Sequence, residues 1–351
     1  MATGKMKYYT ELDGIRGFAA LTIFFFHFLH GQTFSGLLPN IFMKLVSIGP
    51  TMANLFFVLS GFLITQILLD AKGTNNYFSY YYARRILRIF PLYYLALLIY
   101  FFGLPILYGR GIPSFSLQWY NWVHLQNLPI TFRWPHAGPK YLWSLAVEEH
   151  FYLLWPMLVL WLNKRQLISV CIGIICLALA MHMLLAANGY PVFFFTFTTI
   201  DALAMGAIAG ILHYDGRLTT YRKRVRQWMY ISGIPAIILW FVFFGTTSAL
   251  FNIGMPLLFN LFYASSLSYL VTAHQGHFLK RSLQKKVPVF TGTISYGFFI
   301  FHPLCISFTH RIFKNQAMML QIIIALIASI IVATASYYLF EKKFMRLKRY
   351  F

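Results

Sequence analysis

Acids and imidazoles interrupt stretches of sequence that are otherwise almost wholly apolar, among them Glu148, Glu149 and Asp201, and His27, His182 and His302. An ionisable group in hydrocarbon is costly, so such groups as a rule line a polar cavity and serve a function. Imidazole is the side chain best suited to moving a proton near neutrality, and a carboxylate can orient it or accept the proton itself. The helical rise of 1.5 Å per residue gives their depths. His27 lies eleven residues beyond Arg16, or about 16 Å up a helix, and His302 thirteen residues past Val289, or about 20 Å. Glu148 comes eight residues after Lys140, about 12 Å from the opposite face, and Asp201 about 10 Å from that face. In a hydrocarbon core about 30 Å thick, all four fall in one slab, and one polar cavity is expected.

Eleven residues is close to three helical turns, so Arg16 and His27 share a helix face. That column suits a substrate anionic at one end and reactive at the other. Arg84, Arg85 and Arg88 precede Pro91, and Arg85 and Arg88 are i, i+3 neighbours. Paired guanidiniums grip phosphate in two-pronged fashion, although arginines here also serve as ordinary membrane anchors. Asp13, three residues before Arg16, is expected to hold that arginine by a salt bridge. Glu149, about 100° round the helix from Glu148, reads as structural, and His182 as packing. His302 precedes Pro303, which frees a backbone carbonyl one turn earlier; the imidazole either satisfies that carbonyl or joins the site. Asp201 either faces the acceptor or ties helices together.

The elements that must position these groups are membrane helices. Of 351 residues, 59% are apolar and 11% charged, too few charges to cover a water-soluble surface. Ten spans are predicted, near 15–34, 48–70, 89–108, 140–162, 167–187, 194–213, 228–246, 252–273, 289–310 and 317–340. The expected fold is therefore an all-α, polytopic integral membrane protein with a single transmembrane domain over 1–351. Of 29 Lys and Arg, the outer segments hold only Lys44, Arg110, Arg133, Lys140, Arg311 and Lys314. The remainder, Lys5 and Lys7 among them, fall on the other side, which predicts both termini in the cytoplasm. The basic N-terminus lacks a small-residue cleavage site after its first apolar stretch, so that stretch is expected to be retained.

The net charge of +21 belongs to inner loops, and a nucleic-acid partner is excluded by the apolar surface. Cys171, Cys176 and Cys305 lack metal-ligand spacing and read as packing residues; no metal site is expected. No repeat of a transporter type is visible. The longest outer segment, near 109–139, is rich in Trp and Pro (Trp119, Trp122, Trp134, Pro113, Pro129, Pro135). It reads equally as an interfacial cap or as an aromatic platform for a sugar ring.

Five motifs in order resemble the acyltransferase family 3 of membrane O-acyltransferases, from about Leu12 to Phe340. They are Leu-Asp-Gly-Ile-Arg-Gly with His27, which gives Arg16, ten residues, His27; FFVLSGFLI at 56–64; RRILRIFPLY at 84–93; WSLAVEEHFYLLWP at 143–156; and SYGFFIFHP at 295–303. The fourth, with Ser144 and Tyr152, selects Glu148 over Glu149, and the fifth adds Tyr296 and His302. Where the family commonly carries an Arg shortly before the Asp, Thr198 and Thr199 precede Asp201, so a charge pair within that span is not expected. The chain stops eleven residues after Phe340, as expected of a form without an appended esterase-like domain.

The resemblance implies an acyl-CoA donor, usually acetyl-CoA, entering from the cytoplasm as a substrate, with no permanently bound cofactor. The acceptor would be a carbohydrate or other hydroxyl compound of the cell envelope, and the location the bacterial cytoplasmic membrane. Arg16, Arg84, Arg85 and Arg88 would meet the phosphates of the donor, and His27 would take the acceptor's proton, assisted by Glu148. An acyl-histidine intermediate is a second route. Two other classes stay open: a proton-coupled transporter or exporter, whose buried His and acids would form a proton relay, and a regulatory membrane protein with a degenerate site.

Overall fold

The computed structural model describes residues 8–31, 37–243 and 249–350. Lys5 and Lys7, and the expected ends of two spans at residues 34 and 246, lie outside the described residues. Every regular element among the described residues is helical. The long helices are α1 (Thr10–Leu29), α2 (Met52–Ala71), α3 (Tyr77–Leu98), α4 (Trp143–Trp161), α5 (Lys164–Ala187) and α6 (Thr196–Tyr214). They continue with α7 (Arg222–Phe243), α8 (Ala249–Val271), α9 (Lys286–Thr293), α10 (Ser295–Ile312) and α11 (Met318–Ser336).

Eight of these stretches are long and apolar enough to cross a membrane, and the pair α9 and α10, bent by 74°, makes a ninth. The ten spans expected from sequence differ from this by α4. That helix has 19 residues, enough to span, but Glu148, Glu149 and His150 on consecutive positions lower its hydropathy. The protein is an integral membrane protein of polytopic, all-helical type.

Local chemistry explains the helix ends. Asn163 and Gln166 form a reciprocal capping box that starts α5. Glu11 and Asp13 occupy the first turn of α1, where the helix dipole favours negative charge. α1 thus starts five residues before the predicted span, since in sequence the two acids look like loop residues. Both are buried, Glu11 against Lys280 at 3.0 Å and Asp13 against Arg16 at 2.8 Å.

The residues pack as two compact units. One comprises Tyr9–Met52, Ser79–Ala96 and Gln275–Phe351, and so contains α1, most of α3, and α9 to α11. Here α1 runs against α9 at near-backbone distance: a Cβ on Gly292 would collide with the main chain of Asp13, and one on Gly17 would lie 2.8 Å from the carbonyl of Pro288. Small residues let membrane helices approach this closely. The second unit comprises Ala53–Phe78 and Leu97–His274, with α2 and α4 to α8. Its α2 and α6 meet through Gly61 and Gly206, where any side chain would strike the facing helix backbone. The segment near 109–139 belongs to this unit and folds into two short helices, Phe115–Trp122 and Asn127–Phe132, with Trp119 and Trp134 exposed. Cys171 and Cys305 are buried, whereas Cys176 is exposed and does not pack as the sequence reading supposed.

Candidate active site

In the first unit the structure brings together two imidazoles far apart in sequence. Nδ1 of His27, near the end of α1, lies 2.7 Å from Nε2 of His302 in α10, and the rings are parallel within 7° at 5.0 Å. His302 is fully buried. Its other nitrogen, Nδ1, donates to the Phe298 carbonyl at 2.9 Å, and the Phe299 carbonyl that Pro303 leaves without its helical partner lies within reach of the same ring. One nitrogen of His302 thus satisfies a helix carbonyl and the other meets His27. Phe24, Phe298 and Phe299 enclose the ring.

Arg16 stands on α1 below His27, with Nη1 held by Asp13 Oδ1 at 2.8 Å and a side chain 19% exposed. Arg84, Arg85 and Arg88 follow on α3. The guanidinium of Arg84 lies 3.8 Å over the Tyr80 ring, and Arg88 is exposed. Tyr296, at the start of α10, donates its hydroxyl to the Ile89 carbonyl at 2.8 Å. That bond ties the helix bearing His302 to the helix bearing the arginines, one residue from Arg88.

The sequence reading passed over Glu341. This acid is buried, ends the π-helical turn Tyr337–Glu341 after α11, accepts from Ser336 at 2.9 Å, and feels the charge of Arg88. Gly297 leaves room for it: a Cβ there would approach its Oε1 to 2.9 Å. The signal was available, since the chain holds only eight acids and this one follows an apolar span directly.

The remaining predicted residues belong to the second unit. Glu148 is half-buried and accepts from the Ser60 hydroxyl at 2.9 Å. Ser144 and Tyr152 are buried on the same helix. Asp201 is buried and bonded to amides: Asn260 Nδ2 at 2.9 Å and the Ala202 main chain at 2.9 Å, while Asn54 donates onward to Asn260 at 2.7 Å. This amide chain stands where the sequence lacked an arginine. His182 bonds the Ala178 carbonyl inside its own helix at 3.0 Å.

A further polar group gathers near the 109–139 segment. His150 Nδ1 and Asn127 Nδ2 both reach the Thr196 hydroxyl at 2.8 Å, beside buried His124. His124 holds a left-handed backbone, φ 58°, and burial, reinforced by the neighbouring His150, lowers its pKa to about 4. Among the described residues no cluster of three or more His, Cys, Asp or Glu side chains is placed to hold a metal.

Residues 9–338, which take in both units, match the family described as an acyltransferase domain, acyltransferase family 3. The chain belongs to this acyltransferase family. It is 28% identical over 360 residues to a Bacillus subtilis (strain 168) protein named as the peptidoglycan O-acetyltransferase YrhL, covering 96% of this chain and 55% of that one. It is 26% identical over 361 residues to the peptidoglycan O-acetyltransferase OatA of Listeria monocytogenes, covering 95% and 55%. A Staphylococcus aureus (strain COL) protein named as an O-acetyltransferase is 28% identical over 370 residues, covering 97% and 58%. The chain thus spans little more than half the length of the curated relatives it matches. No solved structure matches it. Apolar helices together with bacterial relatives make this acyltransferase-family chain an integral protein of the bacterial cell membrane.

Proposed function

We propose that this protein is a membrane O-acetyltransferase that moves an acyl group from acyl-CoA, most simply acetyl-CoA, to a hydroxyl of a carbohydrate, with peptidoglycan the first acceptor to test. The whole chain works as one transmembrane acyltransferase domain. The observation that carries the reading is the column on α1: Arg16 at its base and, about 16 Å above, His27 hydrogen-bonded to a second imidazole in an otherwise apolar environment. Family membership supplies the reaction class.

The donor's phosphates are anionic, and Arg16, Arg84, Arg85 and Arg88 supply cations, with Asp13 and Tyr296 fixing two of the elements that bear them. The donor would enter from the cytoplasmic side, its thioester reaching the level of His27. The His27 ring takes the proton of the acceptor hydroxyl as its oxygen attacks the thioester carbonyl. The carbon–sulfur bond then breaks, and the departing thiolate receives that proton, so that free CoA and an ester are released. Glu148, one oxygen of which accepts from Ser60, is proposed as a further proton acceptor, and buried Asp201 as a structural support.

The test is transfer of radiolabelled acetyl from acetyl-CoA to soluble peptidoglycan fragments by the purified full chain in proteoliposomes. Labelled ester must form with equimolar CoA release, and both must vanish in His27→Ala. Movement of fragments across the vesicle membrane with acetyl-CoA left intact would identify a transporter instead.

A further inference from the structure

The reading of His27 as base leaves open which of its nitrogens is basic and what holds it so; two hydrogen bonds answer both. A carbonyl oxygen has no proton to give, so the 2.9 Å bond between His302 Nδ1 and the Phe298 carbonyl places a hydrogen on that nitrogen. Neutral imidazole carries one N–H, so Nε2 of His302 holds a bare lone pair. That lone pair lies 2.7 Å from Nδ1 of His27, which must supply the shared proton. The N–H of His27 is thereby fixed at Nδ1, and Nε2 is left as its basic nitrogen. We infer that His302 is the positioning residue of His27: it sets the His27 tautomer and ring plane and, through the proton on Nδ1, shares the positive charge that His27 gains, with the Phe298 carbonyl closing the chain.

This inference rests on the proposed function and deepens it. In the resting arrangement protons run Phe298 carbonyl, His302, His27. When His27 Nε2 takes the acceptor's proton, His27 carries two N–H groups and His302 still accepts one of them. The shared proton can then shift to His302 without breaking any bond to the helix. Both nitrogens of His302 and Nδ1 of His27 stay paired in either state, and the new N–H at His27 Nε2 faces the reacting atoms. The near-parallel planes of the two imidazoles suit an in-plane hydrogen bond, and Phe298, lying nearly parallel to His302, with Phe24 and Phe299 keeps that ring from rotating out of line. The other titratable group acting on His27 is His30, at the end of α1. It stands on the same helix and cannot set the tautomer, since the Nδ1 partner is His302.

The experiment uses the full chain in nanodiscs with 15N-labelled histidine, assigned by difference against His27→Ala, together with acetyl transfer to soluble peptidoglycan fragments. Wild type is expected to show His27 as the Nδ1–H tautomer. In His302→Leu both tautomers should appear, kcat should fall roughly ten- to a hundredfold, below the 10²–10⁴ of a lost general base, and donor KM should stay unchanged. In His302→Gln the amide oxygen can accept the Nδ1 proton, so the tautomer and most of kcat should return. The acidic limb of the pH–rate profile should still move, because an amide cannot share the proton. An Nε2–H signal for His27 in wild type overturns the inference, as does an unmoved pH–rate profile in both variants; the wild-type spectrum decides even if His302→Leu fails to fold. Full activity in His27→Ala would instead sink the assignment of the base, whatever the spectrum shows.

Discussion

Removing the imidazole of His27 leaves the cationic end of the same helix intact, because eleven residues at 1.5 Å separate it from Arg16 by about 16 Å. At that distance the imidazole makes no contact with phosphates held at the arginines, so donor binding at the arginines and proton transfer at the imidazole should separate experimentally. Loss of a positioned general base costs about 10²–10⁴ in rate, or about 3–5 kcal/mol of transition-state stabilisation at 1.36 kcal/mol per tenfold. His27→Ala should therefore lower kcat by that factor while changing the Kd for acetyl-CoA less than threefold. The assay pairs labelled transfer in proteoliposomes with equilibrium binding of labelled acetyl-CoA to the same preparation. Acid quench during turnover adds a second readout: label retained on wild-type protein and absent from His27→Ala would mark an acyl-histidine route. A variant that loses acetyl-CoA binding as completely as it loses rate would refute the division of labour along α1. So would a variant with near-normal kcat.

Gly292→Ala should destabilise the first unit by about 1–3 kcal/mol through overpacking against the Asp13 main chain, read as a lower thermal midpoint in detergent. Tyr296→Phe removes the 2.8 Å bond to the Ile89 carbonyl, worth about 1 kcal/mol, and should raise the donor KM severalfold with little effect on kcat. His124 has its pKa lowered from 6.5 to about 4, so the unfolded chain takes up its proton first as pH falls. Stability should be full above pH 6.5 and decline by up to about 3 kcal/mol as pH falls through 4, and His124→Gln should flatten that decline, measured as the thermal midpoint against pH.

Helical rise sets His27 about 16 Å from Arg16 because both lie on one unbroken helix, whereas the thirteen residues counted from Val289 to His302 cross the 74° bend and do not measure a depth. Counting could not show that the rings touch, since contact depends on how α1 and α10 are rotated about their axes, which residue spacing does not encode. Nor could counting reveal the 74° bend between α9 and α10: an apolar run reads the same straight or broken. The arginines were placed before the third span, yet they lie within one continuous helix from Tyr77, because a basic stretch at a membrane surface does not interrupt helical hydrogen bonding. Glu341 was missed for the opposite reason. A lone acid at the end of a span looks like a loop residue, and only the π-helical turn that carries it inward shows that it is buried.

The placement of charge in the first unit follows the cost of carrying it. Permanent charges there are paired or exposed: Arg16 is neutralised by Asp13, Lys280 by Glu11, and Arg88 is exposed. Where the last turn of α1 meets the middle of α10 the structure uses two imidazoles instead of an imidazole and a carboxylate. A buried carboxylate would orient His27 as well, but it would bring a standing charge that hydrocarbon penalises throughout the catalytic cycle. A neutral imidazole bonded to a backbone carbonyl orients its partner through a dipole, and charge appears only while the proton is held. On this logic Pro303 belongs to the site: by leaving the Phe299 carbonyl without its helical partner it adds a second acceptor beside His302 at the step when positive charge appears there.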